Sequence, residues 1–224
     1  MFIFDILQGG YNPVEVLVIL AGFALAVIIG ISCHEFAHAY AALRAGDSSA
    51  KRAGRLTLNP TAHFEPMGLL CFLFAGIGWA KPVPVNPFNY RNFKRGNFWV
   101  SISGILTNIV IGFVCSFAFF MIDKFGDIEN IFVFAAHWFF MLCMIINLSL
   151  AVFNLLPIPP LDGYNLLSSF TKPNNSFMKF MRENAIIVLL LVVFIVPMVT
   201  GMSLIFAVRE LLMDTFLKFW GLFI

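Results

Sequence analysis

His34, Glu35 and His38 stand in an H-E-x-x-H pattern, His34-Glu35-Phe36-Ala37-His38. Four residues apart on a helix, two imidazoles project from one face and can take two corners of a zinc tetrahedron. A glutamate beside the first imidazole is placed to act as general base toward water at that metal. The pattern closes an apolar run from residue 16 to residue 33. An ionisable side chain at bilayer depth costs about 2.5–3.5 kcal/mol on insertion scales, so Glu35 is ill suited to a plain lipid-facing helix and points to chemistry.

Hydrolytic zinc needs a third protein ligand and an open coordination position. Asp162 is the candidate, in Asn154-Leu155-Leu156-Pro157-Ile158-Pro159-Pro160-Leu161-Asp162-Gly163, at the end of the apolar stretch 131–156. Prolines break the helix there, so the chain can turn back and present the carboxylate. One zinc ion per chain on His34, His38 and Asp162 is the expectation. The remaining histidines read otherwise: His137 as a structural hydrogen bond at the far end of its helix, His63 as a loop anchor. Cys33, Cys71, Cys115 and Cys143 form no C-x-x-C pair and read as small buried hydrophobes.

The elements that must position these residues are membrane helices. Of 224 residues, 60% are hydrophobic and 12% charged, and the mean hydropathy is +0.90. That is too apolar for a soluble domain. The formal net charge is only +2, and no basic face interleaves with stacking aromatics, which excludes nucleic acid as a partner. The lipid bilayer is the expected solvent. The amino terminus lacks a basic leader and carries Asp5, so the first helix is expected to be retained.

Charge-free stretches at 16–33, 98–122, 131–156 and 185–208 are long enough to cross, the first continuing as a helix to about residue 45. Pro197 and Gly201 are expected to kink the last. Residues 67–80 are apolar but short and glycine-rich, and with the proline-rich continuation to 87 they read as a re-entrant segment followed by an extended loop. Of the 14 Lys and Arg residues, all but Lys124, Arg209 and Lys218 fall in 44–55, 81–95 and 172–182. The positive-inside rule places those segments in the cytoplasm and the amino terminus outside. That assignment holds only if 67–80 returns to the side it left. The basic clusters also suit contact with anionic headgroups, and residues 206–224 read as an interfacial amphipathic helix.

The fold class is therefore an all-α polytopic membrane protein. It has about four full transmembrane helices, a re-entrant segment, and a β or extended loop near the active site. Residues 1–224 form a single membrane-embedded domain.

With both motifs in view, the chain resembles the site-2 protease family of intramembrane zinc metalloproteases. His34 to His38 matches its H-E-x-x-H, and Asn154 to Gly163 its N-x-x-P-x-x-x-x-D-G element. Residues 55–60 and 78–87 resemble a compact bacterial branch without PDZ or nucleotide-sensing domains. The resemblance implies that His34, His38 and Asp162 bind zinc, that Glu35 activates water, and that Asn154 orients the substrate backbone. It also matches Gly104 to Asn108 to a Gly-x-x-x-Asn element, with Ile105 where a proline is common, and makes Asn108 a substrate contact.

The expected reaction is hydrolysis of a peptide bond in or near a transmembrane segment of another protein, in a bacterial inner membrane, with the site near the cytoplasmic face. A helical amide must be unwound first. Pro82, Val83 and Pro84 are expected to bind the opened segment by strand addition. Two rival readings are a zinc transporter, which would string polar residues across several helices, and an inactive protease-like escort. Nothing in the residues sets an oligomeric state.

Overall fold

In the computed structural model, residues 6, 8–63, 65, 67–68, 81–172 and 175–223 are described. Among these residues, three helices are long and apolar enough to cross a membrane: α1 (Pro13–Ala45), α2 (Phe93–Phe125) and α3 (Ile131–Asn154). Each contains one of the expected spans almost whole. The sequence sets their ends. Asn12 accepts from the Val14 and Glu15 amides while Glu15 accepts from the Asn12 amide, a reciprocal cap with Pro13 in the first turn. Gly46 ends α1 in the left-handed region at φ 116°.

α1 runs parallel to α3 and antiparallel to α2: Gly22 faces Phe139 and Gly30 faces Asn147, while Asn108 reaches back to His34 and Gly30. Ile19, Val27, Cys143, Met144 and Leu148 are fully buried where the three meet. Lipid is as apolar as leucine, so such helices are held by close packing and interhelical hydrogen bonds rather than by expulsion of water. Gly30 and Gly112 supply close approaches.

After α3 the chain turns through prolines into the short α4 (Asp162–Ser168), then α5 (Ser176–Glu183) and α6 (Ala185–Thr200), bent by 81°. Only if that bent pair counts as one broken span does the number of crossings reach four. The span expected over 185–208, with a kink at Pro197 and Gly201, is not a single helix. Pro197 has no N–H to donate, and a π turn occupies Leu191–Ile195 just before it. Gly201 then stops the helix at φ 69°. Ser203 caps a new helix, α7 (Leu204–Gly221). The side chains of Leu212, Met213, Phe216 and Leu217 pack on the bundle core, and Trp220 donates to Ser116 at 2.8 Å. The helix expected at the interface thus packs one face on the bundle.

Between α1 and α2 there is no strand among the described residues, and 81–86 carry neither helix nor strand. Most of the expected re-entrant segment, residues 69–80, lies outside the described residues. Its flanks do not: the Lys81 amide donates to the His63 carbonyl at 3.0 Å, and Arg55 holds the Lys81 carbonyl at 2.6 Å. The chain therefore returns to the point it left. His63, itself buried, is anchored at 2.8 Å to the Thr57 carbonyl.

Asp47, fully buried just past α1, fastens the far end of this connection. It accepts from the Ser49 amide and hydroxyl, from Asn89 Nδ2 at 2.8 Å and from the Asn86 amide at 2.7 Å. Burial pushes its carboxyl up, but these donors outweigh that and hold it at about 2.

Candidate metal centre

His34 and His38 are buried on the inner face of α1. The ring of His38 donates from Nδ1 to the Val100 carbonyl of α2 at 2.7 Å. A carbonyl only accepts, so the proton is fixed on Nδ1 and Nε2 keeps its lone pair. His34 is fixed by a longer relay. Asn147 Nδ2 donates to the Cys143 carbonyl at 2.8 Å, which turns its Oδ1 toward Asn108. Asn108 Nδ2 donates to that oxygen and to the Gly30 carbonyl. Its own Oδ1 then faces His34 Nδ1 at 2.6 Å and must accept from it. Two backbone carbonyls thus set the tautomer of a side chain two residues further along the relay.

The consequence is three acceptors facing one another. His34 Nε2 and His38 Nε2 are 2.9 Å apart, and each is 3.1 Å from Asp162 Oδ2. With both rings protonated at Nδ1, no donor separates these atoms, and only a proton or a cation can. The separations are slightly under the roughly 3.3 Å edge of a zinc tetrahedron with bonds near 2.0–2.1 Å. Among the described residues this trio is the one group of His, Cys, Asp and Glu able to hold a metal. The donor set fits zinc: two neutral imidazoles, one carboxylate, and space beside them.

Two close contacts let the helices meet here. A Cβ on Gly104 would lie 2.5 Å from His34 Cε1 and 2.6 Å from His38 Nε2, so only glycine lets α2 press on both rings. A Cβ on Gly163 would lie 2.2 Å from the Leu155 carbonyl oxygen, so only glycine lets α4 start against the end of α3 and bring Asp162 in. Asn97 on α2 completes the placement, donating to the Asn165 carbonyl at 2.6 Å and lying within hydrogen-bond reach of Ser168 and Ser169.

Beside the trio is a cavity of about 560 Å³, walled by His34, Glu35, His38, Val83, Asn154 and Asp162 among others. Glu35 Oε2 accepts from the Val83 amide at 2.8 Å. Asn154 bonds its own helix through Nδ2, to the Leu150 carbonyl, and lines the cavity. Pro82 and Val83 line the cavity too, whereas Pro84 is exposed and outside its wall. Prolines lack an N–H and Val83 gives its own to Glu35, so residues 82–84 have only carbonyls free for pairing in this state.

Asn108 is not at the cavity. It is fully buried and hydrogen-bonded to His34, Gly30 and Asn147. His137, outside this centre, packs on Phe119, and its Nδ1 lies 3.9 Å from Asp123 Oδ1. Sequence reasoning missed Asn97, Asp47 and the Val100 carbonyl as organisers. Only Gly104 had a signal, as the small residue four before Asn108.

A family model described as Peptidase family M50 matches residues 125–198. The "Putative zinc metalloprotease YwhC" of Bacillus subtilis (strain 168) is 35% identical over 189 residues, 84% of this chain and 85% of that protein. The "Putative zinc metalloprotease Rip2" of Mycobacterium tuberculosis (strain ATCC 25618 / H37Rv) is 29% identical over 180 residues, 78% of this chain and 66% of that protein. A similarly described protein of Methanocaldococcus jannaschii, MJ0611, is 31% identical over 143 residues, 64% of this chain and 67% of its own length. No solved structure matches the chain.

Proposed function

The chain belongs to peptidase family M50, the site-2 protease family of zinc metallopeptidases, and we propose that it is an intramembrane endopeptidase cutting in or near transmembrane segments of other membrane proteins. The observation that carries this reading is the convergence of His34, His38 and Asp162 as three facing acceptors beside Glu35, in a cavity between apolar helices. We assign zinc to those three residues. When bound, it lowers the pKa of water to about 7 and polarises a carbonyl.

The residues of the chain do the rest. Glu35, at the cavity wall, takes the proton of the attacking water and delivers it to the leaving amine. Its carboxylate is held ready by the Val83 amide. Asn154 keeps Oδ1 free and offers its amide edge to an unwound substrate backbone. Pro82 and Val83 also wall the cavity, and the carbonyls of 82–84, with Pro84 outside that wall, are the edge against which such a backbone lies. Asn108, expected against the substrate, is assigned to His34 instead.

We further assign residues 1–224 to one membrane-embedded peptidase domain. The basic segments on either side of 64–80 belong on the cytoplasmic side of a bacterial inner membrane, with the amino terminus outside and the site near the cytoplasmic face. The bond between His63 and Lys81 supports this sidedness, since it keeps both segments on one face. A transporter would need a polar path through several helices, and the described residues carry one metal-ligating group only.

The test is cleavage of a panel of single-span substrates by purified protein in liposomes, with zinc content measured alongside. Cutting that is abolished by Glu35→Gln and by chelator, with zinc retained in Glu35→Gln, supports the assignment. Zinc-loaded protein whose cutting survives Glu35→Gln removes Glu35 as the base.

A further inference from the structure

A second cavity, of about 550 Å³, opens where the end of α1 meets the start of α2. Its wall includes Arg44, Arg91 and Arg95 with Tyr40, Trp99 and Ser103. Arg44 is in the last turn of α1, Arg91 precedes α2, and Arg95 is in its first turn. The fold brings them together: the Arg91 amide donates to the Ala45 carbonyl at 2.9 Å, and the Arg91 stem lies over Gly46. None of the three guanidinium groups has a hydrogen bond or ion pair among the described residues.

Three like charges facing one space repel, and an anion between them reverses the sign of that interaction. Guanidinium forks match phosphate oxygens in pairs, with charge-assisted bonds about twice as strong as neutral ones. The aromatic members narrow the choice of anion. Tyr40 and Trp99 are 49% and 51% exposed, near the ends of two membrane helices, and those residue types favour the layer where hydrocarbon gives way to headgroups. The volume is within the roughly 300–1,000 Å³ that accommodates one small ligand.

We propose that this cavity binds a phosphate-bearing anion and that, at its level in the bilayer, the phosphate belongs to the headgroup of an anionic phospholipid. This is a defined site, distinct from the general attraction of basic loops to a negative surface. It is independent of the peptidase assignment, since none of its arginines touches the metal centre.

The test uses the full chain in detergent, loaded from vesicles of phosphatidylglycerol and phosphatidylcholine, with retained lipid counted by native mass spectrometry. The triple variant Arg44→Gln, Arg91→Gln, Arg95→Gln is compared with a charge-matched control, Lys51→Gln, Lys172→Gln, Arg182→Gln. The wild type is expected to retain phosphatidylglycerol saturably and in preference to phosphatidylcholine. The cavity variant should bind it roughly a hundredfold more weakly, at about fivefold per arginine, and the control should stay near wild type. Zinc content equal to wild type shows that each variant is folded. If the triple variant loses zinc, the single changes Arg91→Gln and Arg95→Gln, each expected to weaken retention about fivefold, carry the same comparison. Inorganic phosphate is titrated against the retained lipid: resistance to displacement supports a lipid headgroup, and ready displacement assigns the site to soluble phosphate instead. Equal loss in cavity and control variants, or no preference between the two lipids, overturns the proposal.

Discussion

At the scale of single residues, the centre depends on groups that never touch the metal. Asn108 holds His34 as the Nδ1–H tautomer, and Asn147 holds Asn108. Partners of this kind are commonly worth about 10–100-fold in metal affinity. Asn108→Leu is therefore expected to weaken zinc binding by about that factor, measured by competition with a chelator dye, with Asn147→Leu weakening it less. The reverse order would break the relay. Gly104→Ala tests the close approach. Its methyl would meet two rings that are already locked by hydrogen bonds, so it cannot be relieved by a rotamer change. Overpacking of this kind costs about 1–3 kcal/mol, and zinc affinity should fall about tenfold or more. Unchanged affinity would mean that α2 can move away from α1 at little cost.

At the scale of elements, the connection between α1 and α2 is held by Asp47 at one end and by the bond between His63 and Lys81 at the other. The Asp47 carboxyl lies at about 2 in the fold against about 3.9 in an unfolded chain. A depressed carboxyl contributes stability that is complete above the unfolded value and is lost as pH falls through the folded one. The window is therefore about pH 4 down to 2, and the contribution is about 2 kcal/mol. The protection factor of the Asn86 amide, which donates to Asp47, is expected to fall across that window in wild type. In Asp47→Asn it should be low and flat. Because residues 82–85 lie between these fastenings, loosening them also frees the wall that faces Glu35. The same reasoning explains α4, whose first residue is Asp162: its position rests on the bare backbone at Gly163 and on the hydrogen bond from Asn97.

At the scale of the molecule, three apolar helices run alternately through the bundle, and the ends of α1, α2 and α3 that carry chemistry share one side. The expected arrangement puts Lys94 and Glu129 on opposite faces of the membrane. In a cysteine-free background, Lys94→Cys should react with an impermeant thiol reagent only from the cytoplasm, and Glu129→Cys only from outside. Reaction of both from one side would rule out α2 as a crossing helix.

The sequence alone determined what is local or periodic. The i, i+4 spacing of His34 and His38 placed both on one helix face, apolar runs located α1 to α3, and the prolines after Asn154 ended α3. These signals are carried by neighbours in the chain, so they survive without a fold. Pro197 and Gly201 announced a disturbance, but whether a proline kinks a helix or a glycine ends it depends on what caps the next turn, here Ser203. The tertiary structure alone decided the contacts between distant segments. Examples are Asn108 on His34, Val83 on Glu35, Asn97 on α4, Asp47 on Asn86, and three arginines around one cavity. The resemblance to a family singled out Asn108, and its bond to His34 could be seen only once α1 and α2 had packed. Hydrogen bonds are directional and short, and no pattern along the chain fixes which pairs of groups are brought within 3 Å once helices pack in lipid.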